Sequence, residues 1–139
     1  MAQTRFNGPV RSDNGFIGGH QLTSANAINV TGDATAAQVA DGYITSTSAA
    51  PVTITLPTGT ALGTAIGASR GTVLDLFIDN TAGADVVTVA VNTNAILSSA
   101  AADTAGSFGD LTIASGATGI GRFTIMFSSA TAYVFTRTA

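Results

Sequence analysis

The chain has 139 residues, of which 45% are hydrophobic and 9% are charged, and its formal net charge is −3. This length fits one domain with a real hydrophobic core. The five basic residues form no cluster, so composition gives no electrostatic basis for nucleic-acid binding. The sequence has no apolar run of the ~18 residues that a transmembrane helix needs. It also has no cysteine for a disulfide or a thiolate metal site.

The charged residues are unusual in kind, because all eight acids are Asp and all five bases are Arg. Lys and Glu favour helices, so their absence agrees with β structure. A surface of Thr, Ser, Ala and Asn carries little charge to keep protein molecules apart, so it favours association with other proteins. Either partner subunits cover much of this surface, or the chain comes from a host with a biased composition. No apolar segment follows Met1, so the sequence predicts no secretory signal. The absence of cysteine predicts synthesis in a reducing cytoplasm, and it also suits a particle that later lives outside the cell.

Residues 1–26 are predicted to be an extended N-terminal arm, and residues 27–139 a β-domain. Gly8-Pro9, Asn14-Gly15 and Gly18-Gly19 interrupt any regular element in the arm. Its candidate partner-binding residues are Arg5, Phe6, Val10, Arg11, Phe16 and Ile17. The arm either docks on a neighbouring molecule or packs on its own domain. Docking on a neighbouring molecule is favoured, because apolar anchors have no use on a free tail. Ordering a Gly-rich arm also costs conformational entropy, which such contacts would have to offset.

The first half of the β-domain consists of short patterned segments separated by turn residues. The predicted segments are a strand at 27–31, one helical turn within 33–42, strands at 42–48 and 51–57, and a loop at 58–71. Pro57 removes a backbone donor and therefore ends its strand. The loop is rich in Gly, Thr and Ala, and is predicted to hold a short helix or to cover one end of a barrel.

The second half contains the clearest alternation of apolar and polar residues. Strands are predicted at 72–80, 85–91, 96–97, 111–114, 119–127 and 133–138. A turn of Asn, Gly and Asp at 80–85 predicts that 72–91 form a β-hairpin. The short connection at 128–132 predicts a second, closing hairpin at the C-terminus. The second face of strand 72–80 mixes Val73, Asp75, Phe77 and Asp79, which suggests partial cover by another sheet or subunit.

These segments predict an all-β fold of roughly eight short strands, either an antiparallel β-sandwich or a small, jelly-roll-like β-barrel. Parallel pairing is not expected, because no alternation of strands with helices is present. The predicted core consists of Ile54, Leu56, Leu74, Leu76, Ile78, Val87, Val89, Phe123, Ile125 and Phe127.

Few residues carry the groups that catalysis needs. His20 is the only histidine, and no Ser or Cys motif surrounds it. The glycines at 116–121 lack the Lys of a phosphate-binding loop. The sequence therefore assigns no catalytic residue, no cofactor and no metal, and it predicts that the protein is not an enzyme.

The aspartates and arginines of the hairpins leave two alternatives open. Asp75 and Asp79 share a strand face, and with Asp85 across the predicted hairpin they form a candidate Ca²⁺ cluster. The alternative is that these aspartates only end strands and form turns. Arg122 and Arg137 are predicted to pair across strands with Asp75 or Asp110.

The order of the segments resembles a pattern of tailed-bacteriophage virion proteins. That pattern has an ITLP strand, a loop, a strand ending in Asn, a VT-V strand and a last hairpin that ends near an aromatic residue. Here Leu56-Pro57, Asn80, residues 87–91 and Tyr133 hold those places. The opening RFNGPVRSDNGFIGG is similar to the start of small capsid-associated phage proteins, so the resemblance covers most of the chain.

The resemblance implies a virion subunit, commonly a homotrimer, with no catalytic residues. The chain is one short domain without heptads or shaft repeats, which favours a capsid decoration (cement) protein over a fibre. Such a protein binds the major capsid protein on the capsid exterior and stabilises the lattice by many modest contacts. The alternatives are a tail-fibre, spike or receptor-binding β-domain, or a carbohydrate-binding module. A small jelly-roll isomerase or lyase is disfavoured because one His cannot supply its catalytic cluster.

Overall fold

The computed structural model of the chain describes residues 26–93, 95–97 and 111–138. Within these residues the fold is mostly β, as predicted. The strands are β1 (Gly32–Asp33), β2 (Tyr43–Thr45), β3 (Val52–Thr55), β4 (Val73–Asp79), β5 (Val87–Ala90), β6 (Ala95–Leu97), β7 (Thr112–Ile113), β8 (Ile120–Ser129) and β9 (Ala132–Arg137). The helices are α1 (Ala36–Ala40), α2 (Gly59–Ile66) and a single 3-10 turn at Gly116–Thr118.

The strands form two sheets, and the chain changes sheet at every step from β1 to β8. One sheet has four strands in the order β1-β3-β5-β7, and the other has five in the order β2-β4-β8-β9-β6. β1, β3 and β5 pair in parallel, as do β2 with β4 and β6 with β9. The pairs β4–β8, β5–β7 and β8–β9 are antiparallel. Both sheets are therefore mixed.

The prediction of purely antiparallel pairing is wrong. This prediction rests on the absence of strand–helix–strand alternation in the sequence. Parallel neighbours need a long crossover between them. In this chain the crossover runs through a strand of the other sheet, since β3 lies between β2 and β4 along the chain and β4 lies between β3 and β5. The crossovers of the pairs β1–β3, β2–β4 and β3–β5 each contain a strand of the other sheet together with α1 or α2.

The predicted hairpin at 72–91 is also wrong. β4 pairs with β2 and β8, whereas β5 pairs with β3 and β7. The segment between the two strands therefore carries the chain from one sheet to the other. The alternation of Val87 and Val89 with polar residues identifies a half-buried strand but does not specify its partner. The C-terminal hairpin of β8 and β9 is confirmed, with Phe127 opposite Tyr133.

The two helices fall where short helices were predicted. Thr35 begins α1 with a capping box, in which the Gln38 backbone N–H donates to Thr35 Oγ1 at 3.2 Å and the Thr35 N–H donates to Gln38 Oε1 at 2.9 Å. Gly67 ends α2 with a left-handed φ of 63°. The predicted strand at 27–31 is wrong, because Ala27 makes only an isolated bridge to Thr45 and β1 begins at residue 32.

Residues from both sheets and both helices form one hydrophobic core. Nine of the ten predicted core residues are buried, and Leu74 is half-buried against the same core. Core residues that the sequence analysis did not name include Ile44, Leu62, Ile113, Tyr133 and Phe135. The Phe123 and Phe135 rings stack with centroids 4.9 Å apart. Gly63 of α2 lies so close to the Ala130 carbonyl that a Cβ would overlap it, which fixes α2 on the β8–β9 turn.

Candidate protein interface

Exposed apolar side chains gather on one side of the five-stranded sheet. Among the described residues the exposed large hydrophobic side chains are Val30, Tyr43, Val73, Phe77, Ile120 and Met126. All except Val30 lie on β2, β4 or β8 and alternate with buried residues of the same strands. We call this side the outer face, and it comprises Tyr43, Val73, Asp75, Phe77, Asp79, Ile120, Arg122, Thr124, Met126, Val134 and Thr136.

The strand register arranges the outer face in rows. Val73 lies opposite Met126, and Met126 lies opposite Val134 on β9. Val73 is 60% exposed and Met126 is 41% exposed, so this row presents apolar surface to solvent across three strands. A second row runs from Tyr43 to Phe77 and then to Arg122. The prediction that another sheet or subunit partly covers this side of β4 is not tested by the isolated chain.

A polar row of Asp75 on β4 and Thr124 on β8 lies between these two rows, and Arg122 at the end of the second row reaches it. Arg122 Nη2 donates to Asp75 Oδ2 at 2.8 Å, and Thr124 Oγ1 donates to Asp75 Oδ1 at 3.0 Å. The predicted pairing of Arg122 with Asp75 is thus confirmed. The Arg122 guanidinium also lies 5.6 Å from the centroid of the Phe77 ring. The hydrogen bonds from Arg122 and Thr124 lower the pKa of the Asp75 carboxyl below its ordinary value.

The second carboxylate of the outer face is also satisfied within the chain. Tyr43 donates its hydroxyl to Asp79 Oδ2 at 2.6 Å, and both the Thr81 hydroxyl and the Thr81 N–H donate to Asp79 Oδ1. The bonds from Thr81 and then from Tyr43 lower the pKa of Asp79. The same contact raises the pKa of the Tyr43 hydroxyl.

The structure does not assemble the candidate Ca²⁺ cluster. Asp85 was placed near Asp75 and Asp79 by the hairpin that does not form, and its Oδ1 instead accepts the Val86 N–H at 2.7 Å. In the described ranges no group of three acidic or histidine side chains is arranged to hold a metal ion. Asp79 ends β4 and Asp85 lies in the connection to β5, as the alternative predicts, whereas Asp75 lies in the middle of β4 and pairs with Arg122.

Asn80 joins the two sheets, a role that the sequence analysis missed. Asn80 follows β4 directly and is fully buried. Its Nδ2 donates to three backbone carbonyls, those of Asp85 at 2.8 Å, Ala114 at 3.1 Å and Ile113 at 3.3 Å. The Ile113 carbonyl belongs to β7, the Ala114 carbonyl follows β7, and the Asp85 carbonyl precedes β5. The Asn80 side chain therefore links the end of β4, in the five-stranded sheet, to the four-stranded sheet. The only sequence signal was the place of Asn80 in the phage-like pattern.

Tyr133 makes a second link of this kind. Its side chain is fully buried in β9, and its hydroxyl donates to the Pro57 carbonyl, which follows β3, at 2.7 Å. Burial raises the pKa of this phenol far above its ordinary value, so the hydroxyl stays protonated and remains a donor. Asn80 and Tyr133 therefore hold the sheet that carries the outer face against the rest of the domain.

The predicted arm residues Arg5, Phe6, Val10, Arg11, Phe16 and Ile17 lie outside the described residues, as does His20. The point where the arm meets the domain is described. Ala27 bridges to Thr45, the Thr45 N–H donates to the Asn26 carbonyl at 3.0 Å, and Asn26 Nδ2 donates to Asp41 Oδ2 at 3.0 Å. The arm therefore joins the domain beside β2, which is an edge strand of the five-stranded sheet.

Comparison of the chain with protein-family models, with curated proteins and with solved structures finds no match. In the part of the chain that the structure describes, no helix is long and apolar enough to cross a membrane.

Proposed function

We propose that this protein is a structural virion subunit that decorates the exterior of a bacteriophage capsid and stabilises the lattice of the major capsid protein, without catalytic activity. The observation that carries the proposal is the outer face, where five of the six exposed large hydrophobic side chains of the described residues lie together. Exposed apolar side chains that gather on one face of a sheet favour a protein-binding role for that face. The capsid is named as the setting because of the phage-like order of the strands.

In this proposal the two sheets are the layers of a small β-sandwich. The single core shared by both sheets supports that reading, while the parallel pairs depart from an antiparallel jelly roll. The buried links made by Asn80 and Tyr133 suit a subunit whose role is mechanical. They resist separation of the sheets when the lattice is under pressure from packaged DNA.

The proposal divides attachment between two parts of the chain. The arm, with Phe6 and Phe16 as apolar anchors, binds the capsid, and the outer face binds a neighbouring subunit of the homotrimer. Each contact is modest, and a subunit that uses several at once gains affinity through avidity. Arg5 and Arg11 add an electrostatic part that weakens with salt, while the apolar part persists.

The test is a pull-down with undecorated capsids of the phage that encodes the protein. Deletion of residues 1–19 is expected to leave the domain folded, as judged by circular dichroism, and to abolish capsid binding. The pair Phe6→Ala and Phe16→Ala is expected to weaken binding strongly. The matched pair Thr4→Ala and Gln21→Ala, also in the arm, serves as the control and is expected to bind normally.

Near-full binding of the deletion variant would place the attachment site elsewhere in the domain. Immunogold labelling of intact virions tests the location independently. Labelling over the whole shell is expected of a decoration protein. Labelling confined to the tail tip would refute the capsid role and would favour the tail-fibre or receptor-binding alternative.

A further inference from the structure

We infer that Arg137 closes the free edge of β7, so that an extended strand of a second copy of this chain cannot add to the four-stranded sheet there. The inference goes beyond the proposed function, because it concerns a contact that the protein avoids rather than one that it makes. It rests on the direction of the backbone groups of β7, on the position of the Arg137 side chain, and on the low charge of the chain.

β7 is the last strand of the four-stranded sheet and has backbone groups on its outer side. Thr112 of β7 lies opposite Thr88 of β5. The Leu111 carbonyl accepts the Val89 N–H at 2.9 Å, which extends the pairing with β5 beyond the two residues of β7. Because the backbone groups of successive residues in a strand point to opposite sides, the Thr112 carbonyl faces away from β5. A carbonyl on the outer side of an edge strand can accept a hydrogen bond from an added strand.

Arg137 reaches this carbonyl from the other sheet. It lies on β9, two residues after the buried Phe135 and opposite the buried Phe123 of β8, so its side chain starts on the inner face of the five-stranded sheet. Its guanidinium carbon lies 5.9 Å from the centroid of the Phe123 ring, and its Nη1 donates to the Thr112 carbonyl at 2.8 Å. Inward-pointing charged residues are one of the ways in which proteins prevent pairing between sheet edges. Arg137 therefore occupies an acceptor that an added strand needs.

The composition of the chain makes protection of its sheet edges important. Only 9% of the residues are charged, and five residues in all are basic, so surface charge does little to keep copies apart. Two other edge strands are protected in different ways. β1 has only two residues, and β2 is already bonded to residues 26–28 through Thr45.

Analytical ultracentrifugation of the full chain between roughly 1 and 100 µM tests the inference. The variant is Arg137→Met, which keeps a long side chain beside Phe123 but removes the charge and every donor. At about 100 µM we expect its weight-average mass to exceed that of the parent chain by roughly twofold or more. The matched control is Tyr133→Phe, which removes a different bond between the sheets, to the Pro57 carbonyl, and leaves the β7 edge unchanged. It is expected to sediment like the parent chain.

Two further measurements locate the new contact. Thr112→Pro, added to Arg137→Met, removes the N–H on the outer side of β7 without breaking the ladder to β5, and it is expected to restore the mass of the parent chain. Hydrogen exchange of Arg137→Met, followed by NMR at about 1 and 100 µM, is expected to show added protection of the Thr112 amide in the concentrated sample. Circular dichroism and thermal melts check that each variant is folded.

Three results would overturn the inference. The first is a folded Arg137→Met chain that has the mass of the parent chain at every concentration. The second is an equal gain in mass in Tyr133→Phe, which would assign association to a weakened link between the sheets rather than to the β7 edge. The third is association of Arg137→Met that Thr112→Pro leaves unchanged, or that adds no protection at the Thr112 amide, since either would place the contact elsewhere.

Discussion

Replacing Asn80 tests whether one buried amide holds the two sheets together. Its Nδ2 group has two protons and faces the carbonyls of Asp85, Ala114 and Ile113 at 2.8, 3.1 and 3.3 Å. Asn80→Ala removes the donor and leaves these carbonyls without it. The two shorter bonds dominate, because the 3.3 Å contact must share a proton with one of them.

The loss can be worked from these contacts. A hydrogen bond contributes about 1 kcal/mol net, and a buried carbonyl left without its donor adds to the cost. We therefore expect Asn80→Ala to lower the free energy of unfolding by about 2–3 kcal/mol. For a domain of this size that corresponds to a melting temperature roughly 10 °C lower. Urea titration followed by circular dichroism measures the first quantity and a thermal melt the second.

The control is Asn92→Ala. Asn92 is half-buried, and its Oδ1 accepts only the adjacent Thr93 N–H at 2.8 Å among its described contacts. We expect this change to cost less than about 0.5 kcal/mol. Asn80→Asp should be worse than Asn80→Ala at pH 7, since a carboxylate cannot donate and would face three carbonyls. The pKa of that new carboxyl would be raised, so part of the lost stability should return as the pH falls. If Asn80→Ala costs no more than Asn92→Ala, the link between the sheets does not contribute as argued.

Three further predictions concern the core and the outer face. Phe123→Ala should lower the free energy of unfolding by ~3–5 kcal/mol, because Phe123 is fully buried; a loss under ~1 kcal/mol in urea titration would contradict its placement. Tyr133→Phe should cost about 1–2 kcal/mol, because it removes only the bond to the Pro57 carbonyl; a change within the error of the titration would show that this bond adds no stability. The lowered pKa of Asp75 means that its contribution is complete above the ordinary Asp pKa of about 3.9 and is lost as pH falls through the lowered value. Asp75→Asn should therefore weaken the dependence of the unfolding free energy on pH at acid pH. The change should be less than about 1 kcal/mol, because the ion pair with Arg122 is solvent-exposed. An unchanged pH dependence would count against the contact.

Local patterns in the sequence were enough to place most of the elements. The period-two alternation of β4, β5 and β8 identified strands and their buried faces, so nine of ten predicted core residues are buried. Short helices were expected in the segments that hold α1 and α2. The tight connection between β8 and β9 specified their pairing, because a short turn returns the chain directly alongside the strand that it leaves. The pairing of Arg122 with Asp75 was also among the predicted contacts.

Local patterns in the sequence do not show which sheet each strand joins. The turn residues at 80–85 are typical of a hairpin, yet the chain crosses there to the other sheet. Turn chemistry describes a change of direction over a few residues. It does not distinguish a return to the same sheet from a crossing between sheets, because that choice depends on strands distant along the chain. The same limit explains why the parallel pairs were not predicted.

The sequence by itself determined that the chain is β-rich, which residues face the core, and that its surface is poor in charge. Only the tertiary structure decided that Tyr43, Phe77 and Met126, from three different strands, share one exposed face. Only the tertiary structure also gave Asn80 its role. Alternation along a strand is a local property fixed by backbone geometry. Assembly of a face or of a link between sheets depends on register between distant segments, and burial of the whole core sets that register.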